Sequence, residues 1–209
     1  MTVRSRNVIL YMQGGNSMGR SKEFEENEVL QKAMDLFWQQ GYERTSMSDL
    51  VEHMGIHRKS IYDTFGDKHS LYLKVIDRYG EFSTAKFKSE TLRAKTSYQA
   101  IQYIFDYIIE GTEDKHYGCL FVNATTEFGP WDQEVLKKTE DAFSQAENFI
   151  AEIIKQGQEN GEFSRKYDNE LLGEILHNAL LGLRVLVKTS ASKEKMHKIA
   201  KFFLDLITN

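Results

Sequence analysis

Only one proline, Pro130, interrupts this chain of 209 residues. Proline breaks helix interiors, so a chain nearly free of it can run in long helices. Apolar residues recur at helical spacing through most of its length. Leu30, Ala33, Met34 and Phe37 follow the i, i+3, i+4, i+7 rule of one buried face. Leu71, Tyr72, Val75, Ile76 and Tyr79 do the same further on. So do Leu136, Phe143, Ala146, Phe149, Ile150, Ile153 and Ile154, within a long helix expected over 133–158. No run alternates with the period of a strand. The sequence predicts an all-α protein.

The most specific pattern lies between Thr45 and Leu71. Ser46 can cap a short helix, and Asp49 stands three residues on, the spacing of a capping box. Leu50, Val51 and Met54 give that helix an apolar side. Gly55 follows, where a left-handed residue turns the chain sharply, and Ile56 plugs the turn. His57, Arg58, Lys59 and Ser60 then open a second helix with donor-rich side chains, while Ile61 and Phe65 face inward. A helix packed at its back and polar at its N-terminal tip suits insertion into a DNA major groove. Arginine can pair bidentately with guanine, and lysine can reach guanine or phosphate. Ser46 and Ser48 stand at the front of the preceding helix, where hydroxyls and backbone amides can hold phosphate. Helix capping alone would also explain each serine.

The net charge of −4 argues against binding DNA by overall charge. A small basic tip on an acidic body can still do so. Cys119 is the only cysteine, which excludes an intramolecular disulfide and favours a reducing compartment. No apolar run reaches membrane-spanning length, so a cytoplasmic location without membrane attachment is expected. No Walker loop, dinucleotide fingerprint or hydrolase motif is present, and no metal or cofactor is expected.

The succession Thr45-Ser46, Asp49-Leu50, Gly55-Ile56, Ser60-Ile61-Tyr62, Phe65, Asp67-Lys68 and Leu71-Tyr72 resembles the DNA-binding domain of TetR/AcrR-type transcriptional regulators. The resemblance covers roughly residues 22–83. It implies an N-terminal three-helix helix-turn-helix domain over 22–82, with its motif at 46–65. A helical ligand-binding and dimerisation domain would follow over 83–209. It implies phosphate contacts at Tyr62 and Lys68, with Thr45 beside the same surface. It implies a homodimer on double-stranded operator DNA, released by a small, partly apolar effector. It also implies that the helix after Asp67 carries the signal between the two parts. Three positions depart from the family pattern: His57, Lys59 and Asp63.

Residues 1–17 lack helical period and are expected to lie outside the fold, with Met18 an alternative start. The rival reading is a basic arm of Arg4, Arg6, Arg20 and Lys22 in the minor groove. Charged, poorly periodic residues from Ser83 to Thr96 are expected to mark a boundary. Effector contacts are expected from Phe105, Cys119, Phe121, Phe128, Trp131 and Phe143, with Tyr107 and Phe149 as further aromatics that plain core packing would equally explain. Cys119 has two readings: a buried inert thiol, or a sensor activated by nearby Lys115 and His116. The last two helices carry surplus apolar positions, Leu172, Leu176, Ala179, Gly182, Leu183, Phe202 and Phe203. These would either form a dimer interface or close the monomer's core. A DNA-bound protein-interaction module and an all-α enzyme are the functional rivals.

Overall fold

The structure, a computed structural model, describes residues 17–111 and 117–208, with side chains from Glu26 onward. The described residues form helices α1 (Ser17–Gln40), α2 (Met47–Met54), α3 (Arg58–Phe65) and α4 (Lys68–Thr91). There follow α5 (Ser97–Glu110), α6 (Leu120–Phe128), a 3-10 turn at Gly129–Trp131, α7 (Gln133–Glu159), α8 (Asn169–Leu186) and α9 (Lys193–Thr208). No strand occurs among them. The all-α expectation is met. Among the described residues no helix is long and apolar enough to cross a membrane.

The caps are those the sequence announces. Asp49 N–H donates to the Ser46 hydroxyl and Ser46 N–H donates to the Asp49 carboxylate, closing the capping box of α2. Gly55 ends α2 at φ 72°, a left-handed conformation that costs a side chain dearly. Asp67 caps α4 by accepting from Ser70 N–H, Asp168 caps α8 through Glu170 N–H, and Ser192 accepts from Lys195 N–H ahead of α9. These acceptors satisfy amides that a helix start leaves without partners.

Two apolar clusters hold the chain. The first gathers Phe37, Leu50, Ile61, Phe65, Leu71, Tyr72 and Val75 of α1–α4. It also takes in Cys119, Leu120 and Ala124 at α6 and Val135 of α7. The helix-turn-helix head is therefore sealed by the body beneath it. The second joins α5, α7, α8 and α9 through Ile101, Ile104, Phe105, Ile154, Leu176, Leu180, Leu204 and Ile207. Each such large side chain contributes about 1.5–3 kcal/mol on burial.

Two expectations differ from the structure. α4 runs unbroken through Ser83 to Thr91, where low periodicity predicts a boundary. The charges there pair along the helix through Lys86–Glu90 at i, i+4, and Arg93, just past its end, reaches back to Glu90. α1 begins at Ser17 rather than near Glu26, so Arg20 and Lys22 lie on a helical backbone. Arg4, Arg6, Lys115 and His116 lie outside the described residues.

Candidate nucleic-acid interface and internal cavity

The tip of α3 is built from its back. Ile61 and Phe65 are buried, which turns the opposite face outward. His57, Arg58, Lys59, Ser60 and Tyr62 are all exposed on it. No side chain caps α3, so its first amides remain available to a ligand. Ser46 and Ser48 are exposed at the front of α2. Lys68 opens α4, its ammonium 4.0 Å from the centre of the Tyr42 ring. Thr45 does not join this surface. Its side chain is 0 % exposed and its hydroxyl donates to the Gly41 carbonyl at 2.6 Å. The chain bends there between α1 and α2, and the bend needs that hydroxyl inside. Asp63 is exposed on α3 beside the donors.

The head is fastened to the body by polar contacts. Tyr42 and Glu43 donate their backbone N–H groups to the two carboxylate oxygens of Glu127, at 2.9 and 2.7 Å. Trp38 Nε1–H donates to the Gly118 carbonyl. His69 Nε2 lies 2.6 Å from the carboxylate of Asp132, the cap of α7. Burial works against that carboxylate's charge, but amides of Val135 and Glu134 and the His69 ring hold its pKa below the usual value.

A cavity of about 880 Å³ lies between α4, α6, α7 and α8. α4 lines it with Ile76, Tyr79, Gly80, Ser83 and Phe87. Cys119 and Phe121 line it from α6, Phe143 and Phe149 from α7, and His177, Leu181 and Arg184 from α8. His177 is nearly buried and meets Glu147 at 3.2 Å. Burial lowers its pKa, with Glu147 pulling the other way. Burial pushes the Tyr79 phenol up. Burial opposes the charge of Arg184, yet Cys119, Tyr79 and Tyr107 beside it hold its pKa above the usual guanidinium value.

Of the expected effector contacts, Cys119, Phe121 and Phe143 line this cavity, and so does Phe149. Phe105, Phe128 and Trp131 do not. Phe105 is buried in the lower core, stacked on Phe203. Phe128 packs on Tyr42 and Tyr72 under the head. Trp131 is 91 % exposed, because its 3-10 turn carries it off the end of α6. Tyr107 borders a much smaller neighbouring space. Arg184 and His177 were not expected at the site. His177 and Arg184 lie seven residues apart, with Leu180 between them on the same inward face of α8, a spacing legible in the sequence.

The outer face of α8 and α9 also differs in detail. Leu172, Leu176 and Leu183 are buried inside the protomer and cannot meet a partner. Gly182 and Phe202 are exposed, and Ala179 and Phe203 are half-buried. The outward stripe of α8 is Leu171, Ile175, Asn178, Gly182 and Val185, which keeps the expected Gly182 and lies one step round the helix from Leu172, Leu176, Ala179 and Leu183. Leu171, Val185 and Phe202 are large apolar groups left to solvent.

Two family models match the chain. One, for bacterial regulatory proteins of the tetR family, covers residues 29–75. The other, a tetracyclin repressor-like C-terminal domain, covers residues 97–203, about half the chain. The chain belongs to the TetR family. It is 31 % identical to the HTH-type transcriptional repressor ComR of Escherichia coli, over 88 % of this chain and 89 % of that one. It is 30 % identical to the HTH-type transcriptional regulator YezE of Bacillus subtilis, over 86 % and 94 %. Among solved structures it matches a cysteine mutant of the TetR family regulator CifR complexed with 26-bp double-strand operator DNA. That match has a TM-score of 0.75 and 25 % identity, over 85 % of this chain and 94 % of that one. This TetR-family member is thus a DNA-binding transcriptional regulator. Its relatives are regulators, which points away from an enzyme.

Proposed function

We propose that this TetR-family protein is a ligand-responsive repressor. It binds a near-palindromic operator as a homodimer and leaves it when a partly apolar effector fills the cavity. Arg58 and Lys59 read base edges in the major groove. His57 and Ser60 complete the tip. Ser46, Ser48, Tyr62 and Lys68 hold phosphates and set the register. The outer faces of α8 and α9, with Leu171, Gly182, Val185 and Phe202, meet their copies in a second protomer.

The observation that carries this reading is α4. Its first turn, at Lys68, follows directly on the end of α3, and its middle, from Ile76 to Phe87, forms a wall of the cavity. A ligand that displaces this wall moves the heads, and operator affinity changes with their separation. The repressor role of ComR supports the sign of regulation.

Selection of genomic fragments by the purified protein, followed by footprinting, tests the reading. Two protected half-sites about 34–36 Å apart, or a multiple, are expected. Protection of one half-site by a single protomer would sink the dimer. Failure of every compound that fills the cavity to weaken the shifted band would sink the effector.

A further inference from the structure

Arg184 stands at one end of the cavity, on the inner side of α8. Its guanidinium bonds the Tyr79 hydroxyl of α4 and stands 5.9 Å from the centre of the Phe87 ring, with Tyr107 of α5 and the Cys119 thiol nearby, all uncharged groups. Ser83 faces Tyr79 at the same end. Among the described residues no carboxylate pairs with Arg184. The acids of the walls are otherwise engaged or remote from it. Asp77 is held by Lys138 and Glu147 by His177, while Glu81 and Asp141 are exposed to solvent. Arg184 is half-buried at the cavity wall, and a partly desolvated cation without a counter-ion gains when a ligand supplies the charge. Hydroxyl and thiol donors gathered around a guanidinium make a site for an anionic group. Next to it the lining becomes apolar, through Phe121, Phe143, Phe149 and Leu181.

We infer that the cavity takes an organic acid, whose carboxylate or similar anionic group pairs with Arg184 while its apolar part lies along Phe121, Phe143 and Phe149. This rests on the reading of the cavity as an effector site and names the chemistry of the effector. Recognition by a guanidinium fork distinguishes an acid from a neutral molecule of the same shape.

Calorimetric titration of the full chain with 2-naphthoate, the near-isosteric 2-naphthamide and sulfate tests it. The acid is expected to bind saturably, roughly tenfold or more tighter than the amide. Sulfate, lacking the apolar part, is expected to bind more weakly than the acid. Arg184→Met should reduce the acid to the level of the amide, with amide affinity unchanged. Arg184→Lys, which keeps the charge, should preserve a preference for the acid even if the Met variant folds poorly. Equal affinity for acid and amide, no saturable acid binding, a preference that survives Arg184→Met, or sulfate binding as tightly as naphthoate would each overturn the inference. The operator band separates this from the effector reading. If the acid binds through Arg184 but leaves the band unchanged, the anion site stands and the effector reading fails. If a neutral compound releases DNA and the acids do not bind, the reverse holds.

Discussion

At the scale of single residues, the proposed roles of Arg58 and Lys68 on DNA rest on different chemistry. Arg58 is exposed in the first turn of α3, with no ion-pair partner among the described residues. Arg58→Ala is expected to cost about 1–3 kcal/mol of operator binding and to relax specificity at one base. Binding of a full set of single-base operator variants to both proteins checks this. An unchanged ranking of bases would reject the base contact. Lys68 stands on an aromatic ring at the base of the tip. Lys68→Ala should weaken every sequence alike and lower the salt slope by about one, read from affinity at several salt concentrations. His177 makes a pH prediction. Burial lowers its pKa in the folded protein, so below its ordinary value of 6.5 the unfolded chain binds more protons than the folded one. Stability is therefore lost as pH falls below about 6.5, until the folded form is protonated too. The fall in Tm between neutral and mildly acid buffer should be shallower in His177→Leu. An identical fall in both proteins would mean that His177 does not set it. Sequence reasoning placed Arg58 on the exposed side of α3 because turn chemistry and apolar spacing fix which face of so short a helix is free, whereas Lys68 was named by the family resemblance alone. It misplaced Thr45, since nothing in a threonine tells whether its hydroxyl turns to a neighbouring carbonyl or to solvent.

At the scale of elements, α7 and α8 illustrate how close two helices can come. A Cβ on Gly173 would lie 2.9 Å from the Ala151 Cβ and 2.9 Å from the Glu147 carbonyl oxygen. Gly173→Ala gains helix propensity of about 1 kcal/mol, but the backbone of α7 must give way, at about 1–3 kcal/mol. A net loss of stability is expected, measured as a lower denaturation midpoint in urea. A midpoint equal to or above that of the native protein would show that the helices can part freely. Helix existence was legible almost everywhere, since caps such as Ser46, Asp67 and Asp168 sit where their amides need them. Facing was less legible. Leu172, Leu176 and Leu183 fit a partner-facing stripe by composition alone, but in a helix apolar on most sides, spacing cannot tell the inward row from the outward one. The outward row, with Leu171 and Val185, was decided by packing against α7 and α9. The cavity was partly legible for the same reason. Phe121 and Phe143 line it, while Phe105, equally aromatic and equally periodic, went into solid core.

At the scale of the whole molecule, the proposed dimer rests on apolar groups left in water. Phe202 is 65 % exposed on α9. Phe202→Asp is expected to raise the dimer Kd by roughly 30-fold or more. Sedimentation over a range of concentrations reads this directly, and an unaltered dimer would move the interface elsewhere. The fold itself was legible because one proline, good caps and sustained periodicity agree. The join between head and body was not, because it depends on side chains distant in sequence meeting in space. Glu127 reaches back across more than eighty residues to the backbone at Tyr42 and Glu43.

That reach has a consequence for anyone wishing to borrow the reading head for a chimaera. Cut free after α4, it would leave two backbone amides without their carboxylate and bare the sides of Tyr42 and Tyr72 that Phe128 covers. Transplanted onto another regulator's body, it would need a glutamate at the matching place to seat it at the same angle. The recognition unit of this protein is therefore not a detachable module.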